Sequence, residues 1–91
     1  MFVPLKAKFF EAFVRGEKDT EYRLRGKRWN TETCRIGRAV TLSCGYSGER
    51  LHGTIVGFYY DTLPSKIPGW LECYGSKAGD AACIKIQLTK P

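Results

Sequence analysis

Gly16-Glu17-Lys18-Asp19-Thr20-Glu21-Tyr22-Arg23-Leu24-Arg25 is the segment from which the rest of this chain can be placed. From Asp19 to Arg25 the residues alternate: Thr20, Tyr22 and Leu24 share one side, while Glu21, Arg23 and Arg25 share the other. A period of two predicts a β-strand with one packed face and one charged face. Gly16 offers the left-handed conformation that commonly closes a helix, so a helix should end just before this strand. Residues 4–15 supply it. Pro4 suits a first helical turn, and Leu5, Phe9, Ala12 and Phe13 recur at helical spacing. Lys8, Glu11 and Arg15 take the wet side, with Glu11 four residues ahead of Arg15 in the favourable order for a surface pair.

Downstream, residues 26–37 are polar and basic, with Trp29 among them and Asn30-Thr31 as a turn signal, and read as a long loop. Val40 to Cys44 reads as a second strand. Leu51 to Tyr60 reads as a third, interrupted by Gly53 and Gly57 where a bulge or barrel bend fits. Asp61 to Asp80 contains Pro64, Pro68-Gly69 and Ala78-Gly79 and reads as an irregular excursion without a full-length helix. Ala82 to Leu88 alternates Ala82, Ile84, Ile86 and Leu88 against Cys83, Lys85 and Gln87, giving the last strand. One helix followed by four or five strands predicts a mainly β, α+β fold: a small, partly closed barrel with a helix plugging one end, because closure hides edges a short chain could not otherwise cover.

The 91 residues leave room for a single domain, residues 1–91. Five Phe, five Tyr and two Trp give a chain of this size enough core to fold without metal or disulfide staples. Fifteen Lys and Arg against nine Asp and Glu, a formal charge of +6, raise the expectation of an anionic partner. The longest apolar runs, such as Thr54 to Tyr60, fall far short of the roughly 20 residues a membrane span needs. Met1 to Lys8 becomes charged before a signal-peptide core could develop, so a cytoplasmic location is expected. Cys34, Cys44, Cys73 and Cys83 form no CxxC knuckle, and nine residues separate the members of each pair. Reduced thiols packed as small hydrophobes are expected, with no metal and no cofactor. His52 has no second histidine to join it and reads as a surface or strand residue.

Residues 16–23 fit the pattern GxKxxExR. With the helical segment Phe9 to Arg15 before it and Ile36-Gly37-Arg38-Ala39-Val40 after it, the chain resembles the ASCH family of the PUA-like superfamily over most of residues 5–60. The resemblance implies a PUA-like β-barrel, and an RNA- or nucleotide-binding module whose motif lines a cleft beside the helix. Some small members are amidohydrolases that deacetylate N4-acetylcytidine with the motif lysine, a threonine at the motif glutamate position and a distant glutamate; a ribonuclease activity has also been attached to the family. Here Lys18 takes the lysine's place, but position 21 is Glu and not Thr.

Independently of any family, Glu21 and Arg23 lie two apart on a strand and so point to one face, with Lys18 in the turn able to swing over them. Two cations and one anion leave positive charge for a ligand, unless Glu21 merely bridges the two cations. For hydrolysis, Glu21 would abstract a proton, Lys18 would polarise a carbonyl and Arg23 would hold an anion; Thr20 points to the opposite face. Glu72, with Asp61 as a rival, is the candidate distant acid. Arg25, Lys27, Arg28, Trp29, Arg35 and Arg38 form the candidate nucleic-acid surface: cations for phosphates and an indole for stacking on a base, unless Trp29 packs as a barrel lid. Tyr59, Tyr60 and Trp70 could line a base pocket, though aromatics in small barrels are more often core. RNA or a modified nucleoside is the expected partner, with the chain monomeric.

Overall fold

The structure, a computed structural model, describes residues 1–75 and 79–89. Its elements run β1 (Phe2–Leu5), α1 (Ala7–Val14), β2 (Thr20–Leu24), β3 (Ala39–Cys44), β4 (Arg50–Asp61), a 3₁₀ turn (Pro64–Lys66), α2 (Trp70–Tyr74) and β5 (Ala81–Leu88). The five strands form one mixed sheet in the order β1-β3-β4-β5-β2, curled into a half-barrel. β1 lies parallel to β3; the other pairings are antiparallel.

The chain therefore opens with a strand, not with a helix. Pro4 belongs to β1, opposite Ser43, and the helix starts three residues later. Proline is tolerated because β1 is an edge strand, where a missing N–H need not break a ladder. Val3 and Leu5 alternate inward and are almost completely buried. In α1 the buried residues are Phe10 and Phe13, with Phe9 half-buried beside them. Full burial of each of those two rings is worth roughly 1.5–3 kcal/mol. Glu11 lies 3.9 Å from Arg15, as its spacing predicts, but Arg15 is held more closely by Glu17.

β2, β3, β4 and β5 fall within a residue or so of the expected strands. The register of β4 against β5 shifts between Ile55 and Gly57, the bulge anticipated from the glycines. On the charged face of β2, Glu21 is only 5% exposed. Cys83, on the opposite face of β5 from Ile84, is completely buried, as expected of a thiol packed as a small hydrophobe. Both follow from cover on two sides of the sheet. Ile84 and Ile86 join a main core with Phe10, Phe13, Val40, Leu42 and Ile55, while Ala81 and Cys83 join a second core with Ile67 and Trp70.

The second core exists because the excursion between β4 and β5 folds back. Its part within the described residues contains the 3₁₀ turn and α2, as irregular as expected but more structured than its periodicity suggests; Ala78 lies outside the described residues. Residues 26–37 contain neither helix nor strand, and Asn30 organises them by accepting the backbone N–H groups of Glu32 and Thr33 on Oδ1. All four cysteines are free thiols, with Cys34 and Cys83 buried and Cys73 exposed. Among the described residues no helix is long and apolar enough to cross a membrane, and no group of three or more His, Cys, Asp or Glu could hold a metal ion.

Candidate functional site

The half-barrel does not close by strand pairing. β1 and β2 are its two edges, and a cavity of about 240 Å³ opens beside them. Pro4 and Leu5 come from β1, Phe9 from α1, Lys18 from the following turn, and Glu21, Tyr22 and Arg23 from β2. The segment before and through α2 adds Ile67, Gly69, Trp70, Cys73 and Tyr74. Gly69 has φ +84°, and a Cβ there would sit 3.1 Å from the Phe9 ring, so a glycine lets this segment turn closely over α1.

Arg23 spans the gap. Its Nε donates to Glu21 Oε2 at 2.8 Å, and its Nη2 donates to the carbonyl oxygen of Pro4 on the opposite edge. Nη2 also lies 2.8 Å from Glu21 Oε2. The guanidinium carbon is 4.8 Å from the centre of the Trp29 ring, so the indole backs the pair. Glu21 Oε1 accepts the backbone N–H of Tyr22. The sheet edges are thus linked by one guanidinium that pairs with Glu21 on its own strand and donates across to Pro4, a geometry for which arginine's fixed fork is suited and lysine's point charge is not.

Lys18 behaves differently. Its Nζ lies 4.6 Å from the ring centre of Tyr22, 5.4 Å from Phe9 and 5.8 Å from Phe13. Among the described residues it has neither an ion-pair nor a hydrogen-bond partner. Partial burial holds its amine below the ordinary lysine range; Glu21 and Asp19 pull it back up and Arg23 pushes it further down. The aromatic faces attract the ammonium form. Burial also raises the phenols of Tyr74 and Tyr22 above the usual tyrosine range, which keeps both neutral at the cavity wall.

The structure brings Lys18, Glu21 and Arg23 to one cavity, as the motif spacing predicts. It resolves their pairing: Glu21 bridges to Arg23 and not to Lys18, which leaves Lys18 as the spare cation. Glu72 is not brought there. It sits on the outer side of α2 and binds Lys8 at 2.7 Å, an exposed pair that keeps its carboxyl below the usual range. Asp61 caps the end of β4 by accepting the Leu63 N–H, and Thr20 Oγ1 donates to Asp19; neither lines the cavity.

The basic residues lie on the adjoining loop. Lys27, Arg28, Arg35 and Arg38 are exposed, with Arg38 donating to the Thr33 carbonyl and Arg28 5.4 Å from the Trp29 ring centre. Arg25 stacks 3.9 Å from the Tyr60 ring centre and binds Asp80 at 3.3 Å. Trp29 is half-buried and packed on the main core, nearer to a lid than to an open stacking platform. Tyr59 is exposed, Tyr60 accepts the Thr31 N–H, and only Trp70 of the three aromatics considered for a base pocket reaches the cavity. His52 is exposed on β4, 3.3 Å from Thr41 Oγ1.

What the sequence reading did not reach is the company Trp70 keeps in an apolar roof with Ile67 and Tyr74, and the Pro4 carbonyl. The Pro68-Gly69 turn directly before an aromatic is the one local signal of that roof. Fold and cleft together define a small five-stranded half-barrel with an aromatic-walled cleft in which Lys6, Lys18 and Arg23 outnumber Glu21. Compared with protein-family models and with curated proteins, the sequence matches none.

Proposed function

We propose that this chain is an ASCH-like, PUA-type module that binds a single base or nucleotide in the cleft at Lys18, with the basic 25–38 loop tracking the phosphates of a longer RNA. The observation that carries the reading is the spare cation. Glu21 and Arg23 satisfy one another, while Lys18 faces the cavity without a protein counter-ion among the described residues. An anion is its natural complement. The cavity is smaller than the roughly 300–1,000 Å³ of drug-sized sites, which suits one planar group between Tyr22, Phe9 and Trp70. Exposed Lys27, Arg28, Arg35 and Arg38 lie outside it and supply phosphate contacts that depend on salt.

Titration with mononucleotides and with a short single-stranded RNA tests both parts. Lys18→Met is expected to weaken mononucleotide binding about tenfold, the loss of one charge-assisted contact. Arg28→Ala with Arg35→Ala should weaken only the RNA and flatten its salt dependence. No binding of either ligand at low salt removes the proposal.

A hydrolytic reading is favoured by one observation, an amine held below its ordinary range in the same cavity as a buried carboxylate. Thr20 is not at the cavity, so Glu21 would activate water directly. The same samples incubated with N4-acetylcytidine decide it: acetate release that survives Glu21→Gln excludes Glu21 from the chemistry.

A further inference from the structure

We propose that Lys18 is a reactive amine that condenses reversibly with small aldehydes or α-keto acids carrying a carboxylate or phosphate, the cavity beside it being the pocket for that reactant. The inference goes beyond nucleotide binding and rests on the cavity, not on the identity of any nucleotide.

A lysine becomes a nucleophile when it is partly withdrawn from water, stands near another cation and has reactant-sized space before it. Lys18 meets each condition. Its Nζ is surrounded by the rings of Tyr22, Phe9 and Phe13 and lines the 240 Å³ cavity together with Arg23. Among the described residues the other lysines differ. Lys8 and Lys85 face Glu72 and Asp19, and Lys6, Lys27 and Lys66 are exposed. Burial and Arg23 lower the Lys18 amine, against the opposing pull of Glu21 and Asp19, so its free-base fraction exceeds that of a solvated lysine. The ring faces still favour the ammonium, and the amine is drawn off as it reacts.

The same cavity provides the remaining parts. Arg23 commits Nε and Nη2 to Glu21 and Pro4, and no hydrogen bond involves its Nη1 among the described residues, which leaves that nitrogen with Lys6 to hold the reactant's anionic group. Glu21 stands in the cavity as a proton carrier. The lone pair of the neutral amine attacks the carbonyl carbon and the C=O π pair moves to oxygen. That oxygen takes a proton, giving a carbinolamine. The nitrogen releases one proton, the hydroxyl takes a second, the nitrogen lone pair forms C=N as the C–O bond breaks and water leaves, and the iminium nitrogen then gives up its remaining proton. Amine and carbonyl give imine and water, with no change of oxidation state.

Trapping with cyanoborohydride, which reduces the imine to a stable secondary amine, provides the test. The folded protein is incubated with glyoxylate, with pyridoxal 5′-phosphate and with uncharged acetaldehyde, then digested and mapped by mass spectrometry. Expected is a single adduct at Lys18, forming roughly tenfold ahead of the exposed lysines because the cavity holds the anionic carbonyl beside the amine. Lys18→Arg and Lys18→Gln, each verified as folded by amide spectra, should abolish it. Labelling spread over the lysines according to exposure, or absent from Lys18, overturns the proposal. Acetaldehyde reacting at Lys18 as fast as glyoxylate overturns the anionic part. Adding a mononucleotide separates the two readings: selective labelling that no nucleotide suppresses keeps the reactive amine and counts against nucleotide binding, whereas nucleotide binding without selective labelling does the reverse.

Discussion

Arg23 performs two tasks with one guanidinium, neutralising Glu21 and joining β2 to the Pro4 carbonyl of β1. Its side chain is 19% exposed and that of Glu21 7%, so the pair is largely withdrawn from solvent. Removing one partner leaves the other buried and uncompensated, which is far more damaging than removing both. Arg23→Met is therefore expected to lower unfolding free energy by about 3 kcal/mol, measured by urea denaturation. Adding Glu21→Met should recover part of the loss. Equal stability of the single and double variants would show that the buried charge is not what matters. The motif spacing made the Glu21–Arg23 proximity legible, since two residues on a strand share a face. Which cation Glu21 selects was not legible, because Lys18 lies in a turn whose path depends on the packing of α1.

Among the elements, β4 and β5 make the longest ladder, and their backbones approach closely at Gly53. A Cβ at Gly53 would stand 2.7 Å from the Gln87 carbonyl oxygen and 2.9 Å from Ile86 Cγ2. Both belong to a rigid neighbouring strand, so Gly53→Ala is expected to destabilise by roughly 1–3 kcal/mol, read as a lowered urea midpoint at unchanged slope. Alternation located β2 and β5, each long enough to show it. It failed for β1, whose four residues allow almost no repeats and whose proline also suits the start of a helix. It gave no sign of α2, five residues held by Trp70 and Ile67 against Ala81 and Cys83, contacts between segments distant in sequence from β2.

At the scale of the whole molecule the sheet is an open half-barrel whose centre and edges differ in support. β3, β4 and β5 each have two neighbours, while β1 and β2 have one, and among the described residues the hydrogen bond across their gap is the one from Arg23 to Pro4. Native-state hydrogen exchange should follow that order, with amides of β4 and β5 exchanging slowest and those of β1 and β2 opening at lower free energy. Uniform protection across all five strands would mean that the edges are held by more than the guanidinium. An edge that opens locally also gives a ligand access to the cavity without unfolding either core.

The amino-acid order alone determined the strands β2 to β5, the helix closing just before Gly16, the bulge near Gly57 and the convergence of Lys18, Glu21 and Arg23, because each rests on neighbours within a few residues. Tertiary structure decided the rest. The edge role of β1, the aromatic roof over the cleft, the burial of Glu21, the exclusion of Glu72 and the isolation of Lys18 depend on contacts between residues tens of positions apart. Local periodicity carries no information about such contacts, which are settled only when two cores compete to cover both faces of the sheet.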